Sequence, residues 1–312
     1  MLLGIANFAS ALSWGLGMLV VTRVAAAACA AAYTPNAGAV AAALAGPQTR
    51  ARALAVVIGG LTLATALGVP IGHAVSASLS WRASLALVGV MSFVAAAGVF
   101  LLMPSVPTGM VVTLRRRLAV LRRPRVLLVL PLTILGMAAC YTPYAFTLDV
   151  LDALRVPDSA LTFMLFAYGA GAFVGNYVSG RGTDRVGPVA ILAGTYGLMA
   201  VSLGILAWFA SEQPAETSLL LAFLMACWGA SSWAQSPAQQ HRLISSAPEE
   251  ASLVVALNSS CIYLGMSIGT AIGGQLVGHG AVVPLACGGG LAGLAFTYLL
   301  VTTARLQTSL SN

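Results

Sequence analysis

Arg23 is the one charge set inside an apolar stretch of this chain, within Leu-Val-Val-Thr-Arg23-Val-Ala-Ala-Ala. A guanidinium in hydrocarbon is costly unless it is paired or faces water, so the residue needs a partner. Two readings stay open: Arg23 lines a cavity and answers to a substrate or a protonating carboxylate, or it snorkels toward the outer interface. Other polar and aromatic side chains gather at a few depths: Tyr33, Thr34 and Asn36; Tyr141, Thr142 and Tyr144; Trp228, Trp233 and Gln235. Aromatic faces for stacking and a few polar hooks suit a pathway for amphipathic organic molecules. Tyrosine and tryptophan also collect at membrane interfaces without binding anything, an equal alternative for Tyr144 and Trp228. Asn258, Ser259 and Ser260 suit hydrogen bonding between helices. Pro70 removes a backbone donor between Gly68 and Gly72, which permits either bending or tight helix packing. Gly180, Asp184, Arg185 and Gly187 form a short polar stretch that could latch helix ends, or simply a solvated turn.

Other chemistry finds no support. There is no H-E-x-x-H, no Walker loop and no intramembrane carboxylate pair, and His73, His241 and His279 lie far apart. Cys29, Cys140, Cys227, Cys261 and Cys287 are dispersed singly, without the spacing of a metal site or disulfide framework. No catalytic residue, metal or cofactor is expected, and the chain does not read as an enzyme.

The elements that must position these residues are membrane helices. An apolar fraction of 59% with 7% charged residues leaves too little polar surface to face water, so lipid is the main solvent. Apolar runs and turn signals predict ten helices, at 1–15, 18–43, 53–75, 83–103, 126–148, 158–180, 189–209, 218–241, 252–276 and 283–303. All fifteen basic residues are arginines, and their placement looks like topology instead of a nucleic-acid surface despite the net charge of +7. The cluster Arg115, Arg116, Arg117, Arg122, Arg123 and Arg125, the Arg50 and Arg52 loop, the Arg181 and Arg185 loop and the Arg305 tail are expected to face the cytoplasm. Asp149 to Asp158 and Glu212 to Glu216 then face outward, and Arg82 and Arg155 are exceptions to the pattern. The carboxy terminus is expected to be cytoplasmic, in a multi-pass protein of the inner (plasma) membrane. Met1 begins inside a membrane segment with no basic region ahead of it, which does not read as a signal peptide.

Pro47 through Gly72 lies on Pro248 through Gly273 with one constant offset, and Gly68-Val-Pro-Ile-Gly72 then falls on Gly269-Thr-Ala-Ile-Gly273. Each is a Gly-x-x-x-Gly that lets helix backbones approach in lipid, so the halves read as parallel repeats. With that offset the helices at 126–148 and 158–180 would have partners upstream of Met1, and the short first helix points to the same expectation of an incomplete first bundle.

On these residues the chain resembles the major facilitator superfamily. Leu19 to Ala27 resembles the family's fourth helix, with Arg23 at the family's arginine. Gly60 to Gly72 resembles the glycine-proline motif of the exporters' fifth helix, and Trp81-Arg82 the turn into the sixth. Gly180-Arg-Gly-Thr-Asp184-Arg185-Val-Gly187 is similar to the G-x-x-x-D-R-x-G motif, with Pro188 where a basic residue is usual. Val69 separates Gly68 from Pro70, a variant that looks like drug or sugar exporters. The resemblance implies an all-α, two-bundle fold with about ten helices present. Its parts would be an amino-terminal bundle over 1–103, a cytoplasmic basic linker over 104–125, a six-helix bundle over 126–303 and a tail over 304–312. It further implies proton-coupled efflux of drugs or small organic molecules by rocking of two bundles, with sugar or metabolite export, or a transport-inactive fragment, as alternatives. The partners would be a small-molecule substrate, protons and the bilayer.

Overall fold

The computed structural model describes residues 1–104, 123–212 and 218–311, and every regular element among them is helical. The arginines at 115–122 and Glu216 lie outside the described residues, as do the side chains of Thr34, Arg50 and Arg52. The chain divides into two compact units, Met1–Val111 and Val112–Asn312.

The first unit holds α1 (Leu2–Ala11), α2 (Leu16–Ser78) and α3 (Trp81–Leu102). Phe8 and Phe93 pack with ring centroids 5.9 Å apart where α1 crosses α3, and Gly4 and Gly89 leave the room for those rings. Ser80 caps α3 by accepting from the Ala83 amide at 3.2 Å. Arg82 donates to the Ser13 carbonyl at 2.9 Å, which holds the end of α1 against the start of α3.

Two expectations are corrected here. The predicted helix over 1–15 ends at Ala11, because Ser13 turns inward and Gly15 adopts an extended backbone before α2. The predicted helices at 18–43 and 53–75 are one helix of 63 residues. Ala41, Ala42, Ala43 and Ala45 before Pro47, and Ala51 and Ala53 after it, have the highest helix propensity, and the helix continues through the hydrogen bond lost at Pro47. At 1.5 Å per residue α2 is about 94 Å long, roughly three times the hydrocarbon thickness of a bilayer. Within it, Leu16–Tyr33 has the length and composition of a span. Its Gly68 and Gly72 have open space where a Cβ would sit, so the close helix approach expected there is absent among the described residues.

The second unit contains α4 (Pro124–Tyr144), the short α5 (Thr147–Ala153), α6 (Asp158–Val186), α7 (Pro188–Glu212), α8 (Ser218–Ser246), α9 (Ala251–Leu276) and α10 (Val282–Ser311). The stretch expected as one helix over 126–148 breaks after Tyr144, where the Phe146 amide bonds to the Pro143 carbonyl in a tighter turn. The helix expected to end at 180 continues to Val186, and α10 runs past the expected 303.

Small residues set how these helices pair. A Cβ on Gly265 would lie 2.5 Å from the Ile134 carbonyl oxygen and one on Gly269 2.6 Å from that of Ala138, so α9 lies parallel to α4 with backbones in contact. Gly171 and Gly175 bring α6 equally close to Ala226 and Ala230 of α8, again in parallel. α7 and α10 pack antiparallel around Leu192, Tyr196, Ala295 and Leu299. Leu243, Ala247 and Val254 close the end of the unit against Val126, Val129 and Leu130.

Among the described residues seven helices are long and apolar enough to cross a membrane. α1 has only 10 residues. α8 has the length, but its lower half carries Ser231, Ser232, Gln235 and Gln239.

Candidate functional site

Arg23 has its partner within the first unit: Nη1 donates to Asn7 Oδ1 at 2.9 Å. Asn7 is buried and its own Nδ2 donates to the Leu3 carbonyl, so the amide oxygen is fixed toward α2. Beside it, Ser10 donates to Thr22 at 2.9 Å. The pair is an amide and a guanidinium, and no carboxylate enters it. Tyr33 is 59% exposed and Asn36 is also exposed, its amide spent on the Ala32 carbonyl one turn earlier. The structure does not gather Tyr33 and Asn36 with Arg23.

In the second unit an aromatic box forms. Tyr144 stacks on Tyr168 with centroids 4.9 Å apart, and Trp228 meets Tyr168 edge-on at 5.1 Å. Tyr144 also meets Trp228 at 6.2 Å and Tyr141 at 5.1 Å. Trp228 and Tyr168 are buried while Tyr141 and Tyr144 are half-buried, so the box has a closed floor and a more open rim. Burial of Trp228 in protein removes the interface-anchor reading for that residue. Its indole Nε1 has no hydrogen-bond partner among the described residues. Trp233, half-buried one helix turn further on, takes no part in these ring contacts.

Below the box a polar ladder fills the core. Gln235 Nε2 donates to the Ser232 carbonyl at 2.9 Å, and its Oε1 accepts from the Tyr196 hydroxyl at 3.3 Å. Gly136 supplies the space, since a Cβ there would meet the Tyr196 ring at 2.8 Å. Gln239 Nε2 donates to the Val129 carbonyl at 2.7 Å and to Thr133 at 3.1 Å, and Thr133 in turn donates to Asn258 Oδ1 at 2.7 Å. Asn258 thus joins α9 to α4, whereas Ser259 and Ser260 bond back to their own helix. Arg123 and Glu250 form an ion pair at the same end of the unit.

The stretch expected as a latch loop is the end of α6. Gly180, Asp184 and Arg185 sit on the last helical turns, Asp184 and Arg185 are exposed, and Gly187 alone joins α6 to Pro188 at the start of α7. Gly187 takes φ +84°, a conformation open to glycine, and Pro188 suits a first helical position. Arg181 lies over the Tyr177 ring at 3.9 Å. Asp184 and Arg185 form no ion pair among the described residues. Pro70 is buried within α2.

Residue types alone did not single out Tyr168, Tyr196, Gln239, Arg242 or Asn7. Gln235, Gln239 and Arg242 recur at one helix face, which is a readable signal; Tyr168 and Asn7 depend on which helices become neighbours. Among the described residues no group of three or more His, Cys, Asp or Glu side chains is placed to hold a metal ion.

Two glycine-zipped parallel helix pairs, spans long enough for a bilayer and a stacking box above a polar ladder define a multi-pass helical membrane protein with solute-sized chemistry in its interior. The Major Facilitator Superfamily profile matches residues 1–270. The chain belongs to that superfamily of membrane transporters. It is 31% identical over 272 residues to the inner membrane transport protein YdhP of Escherichia coli (strain K12), covering 86% of this chain and 68% of that protein. It is 33% identical over 300 residues to a chloramphenicol resistance protein of Streptomyces lividans, covering 92% of this chain and 75% of that protein. The crystal structure of the human organic anion transporter MFSD10 (TETRAN) shares the fold, with a TM-score of 0.68 at 16% identity over 95% of this chain and 74% of that one.

Proposed function

We propose that this chain is a secondary active transporter of the inner membrane that exports small, uncharged or amphipathic organic molecules by alternating access, coupled to proton entry. The observation that carries the substrate class is the aromatic box of Tyr141, Tyr144, Tyr168 and Trp228, whose stacked faces and unpartnered indole N–H suit an aromatic solute with a hydrogen-bond acceptor. The name of the Streptomyces lividans relative supports efflux and suggests chloramphenicol, a nitroaromatic amide, as the first solute to try. Proton coupling rests on the family resemblance, whereas the roles of Tyr33, Asn36, Trp233 and Gln235 along the pathway rest on their polar and aromatic character at a few depths, and that of Arg23 on both. Gly68, Pro70, Gly72, Gly180, Asp184, Arg185 and Gly187 rest on the family resemblance as conformational motifs. The bundle boundaries at 1–103 and 126–303, the cytoplasmic linker and the cytoplasmic carboxy terminus belong to the same proposal.

The test is uptake of labelled chloramphenicol into inverted membrane vesicles containing the protein, with and without an imposed pH gradient. Gradient-dependent uptake that is lost with Trp228→Ala or Tyr144→Ala supports the reading. Uptake no greater than that of protein-free vesicles, or uptake indifferent to both substitutions, refutes it.

A further inference from the structure

Buried in the second unit is a cation that forms no ion pair among the described residues. Arg242, in the last turns of α8, is 8% exposed, and its Nη1 has no hydrogen-bond partner among the described residues. Asp149, Asp152, Asp158, Asp184, Glu212 and Glu249 are all exposed, and Glu216 lies outside the described residues. Glu250 is engaged with Arg123 through Oε1 and leaves Oε2 buried without a partner among the described residues, and it forms no ion pair with Arg242 there. The phenols of Tyr196 and Tyr298 are titratable neighbours of Arg242. Their hydroxyl protons are committed elsewhere, that of Tyr196 to Gln235 at 3.3 Å and that of Tyr298 to the Leu128 carbonyl at 3.0 Å. Each phenol therefore presents only the lone pairs of a neutral oxygen. Dipoles soften the field of a guanidinium without neutralising it, and a desolvated cation with no counter-charge is strongly unfavourable.

One turn earlier on the same face, Gln239 has spent its amide N–H groups on Val129 and Thr133 and leaves Oε1 buried without a partner. A charged donor and a neutral acceptor, both buried and both unpartnered, thus stand three residues apart on one helix face. Bound water would satisfy both hydrogen bonds but would leave the charge unbalanced. An oxyanion that also carries a hydroxyl satisfies all three demands: its oxygens take the planar guanidinium fork, its charge cancels that of Arg242, and its O–H donates to Gln239.

We infer that Arg242 and Gln239 form a binding site for a small hydroxylated oxyanion inside the second unit, either the hydroxycarboxylate group of an organic solute or free dihydrogen phosphate. The site widens the transport reading above to anionic solutes, but its test is an equilibrium measurement on purified protein, so a failure of flux leaves it standing and a failure of binding leaves the flux result untouched.

The experiment follows the thermal unfolding midpoint of the full chain in detergent, titrated with sodium lactate or sodium phosphate against sodium chloride at equal ionic strength. The wild-type midpoint is expected to rise by about 3–6 °C at tenfold excess over Kd, and logarithmically with concentration above Kd, with at least one oxyanion. A rise with lactate identifies the carboxylate source, and a rise with phosphate alone identifies the inorganic one. Arg242→Gln abolishes the rise and Arg242→Lys keeps part of it. In oxyanion-free buffer Arg242→Gln should unfold at the wild-type midpoint or above, since it removes an unbalanced buried charge. No rise beyond that of chloride, an equal rise in Arg242→Gln, or a lower midpoint of Arg242→Gln in oxyanion-free buffer overturns the inference.

Discussion

Replacing Gly175 by alanine should destabilise the second unit, whereas the same change at Gly180, five residues further along α6, should not. An ideal Cβ at Gly175 lies 2.6 Å from Ala230 Cα and 2.7 Å from its carbonyl carbon. Comfortable carbon contacts are about 3.5–4.0 Å, so α6 and α8 would have to part by about 1 Å along that line. The obstruction is backbone, which cannot rotate away as a side chain does. Overpacking of this kind costs about 1–3 kcal/mol, offset by about 1 kcal/mol of improved helix propensity. Gly180 has open space at its Cβ and receives only the propensity gain. The two variants should therefore differ by about 1–3 kcal/mol, or about 2–12 °C in unfolding midpoint for a unit of this size.

The measurement is thermal unfolding of the purified variants in one detergent, read by loss of the monodisperse peak on size-exclusion chromatography. Gly171 faces Ala226 in the same manner, with ideal Cβ contacts of 2.7 Å. One separation of the helices relieves both clashes, so the double variant Gly171→Ala, Gly175→Ala should cost clearly less than the sum of the singles. A Gly175→Ala protein as stable as Gly180→Ala, or strict additivity of the double variant, would refute the parallel α6–α8 contact on which the aromatic box depends.

Thr133→Val removes the hydroxyl that accepts from Gln239 and donates to Asn258, and is expected to lower stability by about 1–3 kcal/mol, measured by the same unfolding assay. Asn7→Ala and Arg23→Ala should show a coupling of about 0.5–1.5 kcal/mol in a double-mutant cycle; strict additivity would mean that the 2.9 Å contact contributes nothing. Ser80→Ala removes the cap of α3 and should cost about 1 kcal/mol, while Ser80→Asp should retain most of the stability, both checked by unfolding midpoint.

Helix existence was legible in the sequence because apolar length is a strong signal in a chain with so few charges. Boundaries were legible only where a residue decided them locally. Gly187 and Pro188 end α6 and begin α7 through their own backbone preferences, and the helix reaches Gly187 despite the weak helix formers Gly182, Thr183 and Asp184, with no proline before Pro188 to stop it. Pro47 misled in the opposite direction. A proline beside two arginines reads as a loop, but its cost is one hydrogen bond and a local clash, and the alanine runs flanking it carry the helix through. The glycines divided likewise. Gly269 and Gly273 press on α4 while Gly68 and Gly72 meet nothing among the described residues, because a small residue only permits close approach and the neighbour decides whether it happens.

The interior site was less legible because the depth of a residue along its helix does not determine the face it occupies. Gln235, Gln239 and Arg242 fall at i, i+4 and i+7, within about 60° of one another around α8. The stripe itself follows from periodicity, although Ser236, Gln240, His241 and Ser245 place polar side chains on the other faces of this stretch as well. Its partners do not. Tyr196 reaches Gln235 because α7 crosses beside Gly136, and Thr133 links Gln239 to Asn258 because α4 and α9 lie parallel, contacts separated by 39 to 125 residues. The aromatic box has the same logic: Tyr168 and Trp228 meet because Gly171 and Gly175 let α6 settle on Ala226 and Ala230. Helix-face periodicity therefore identifies which side chains need partners, and the small residues one or two turns away identify where a neighbouring backbone can come close enough to supply them.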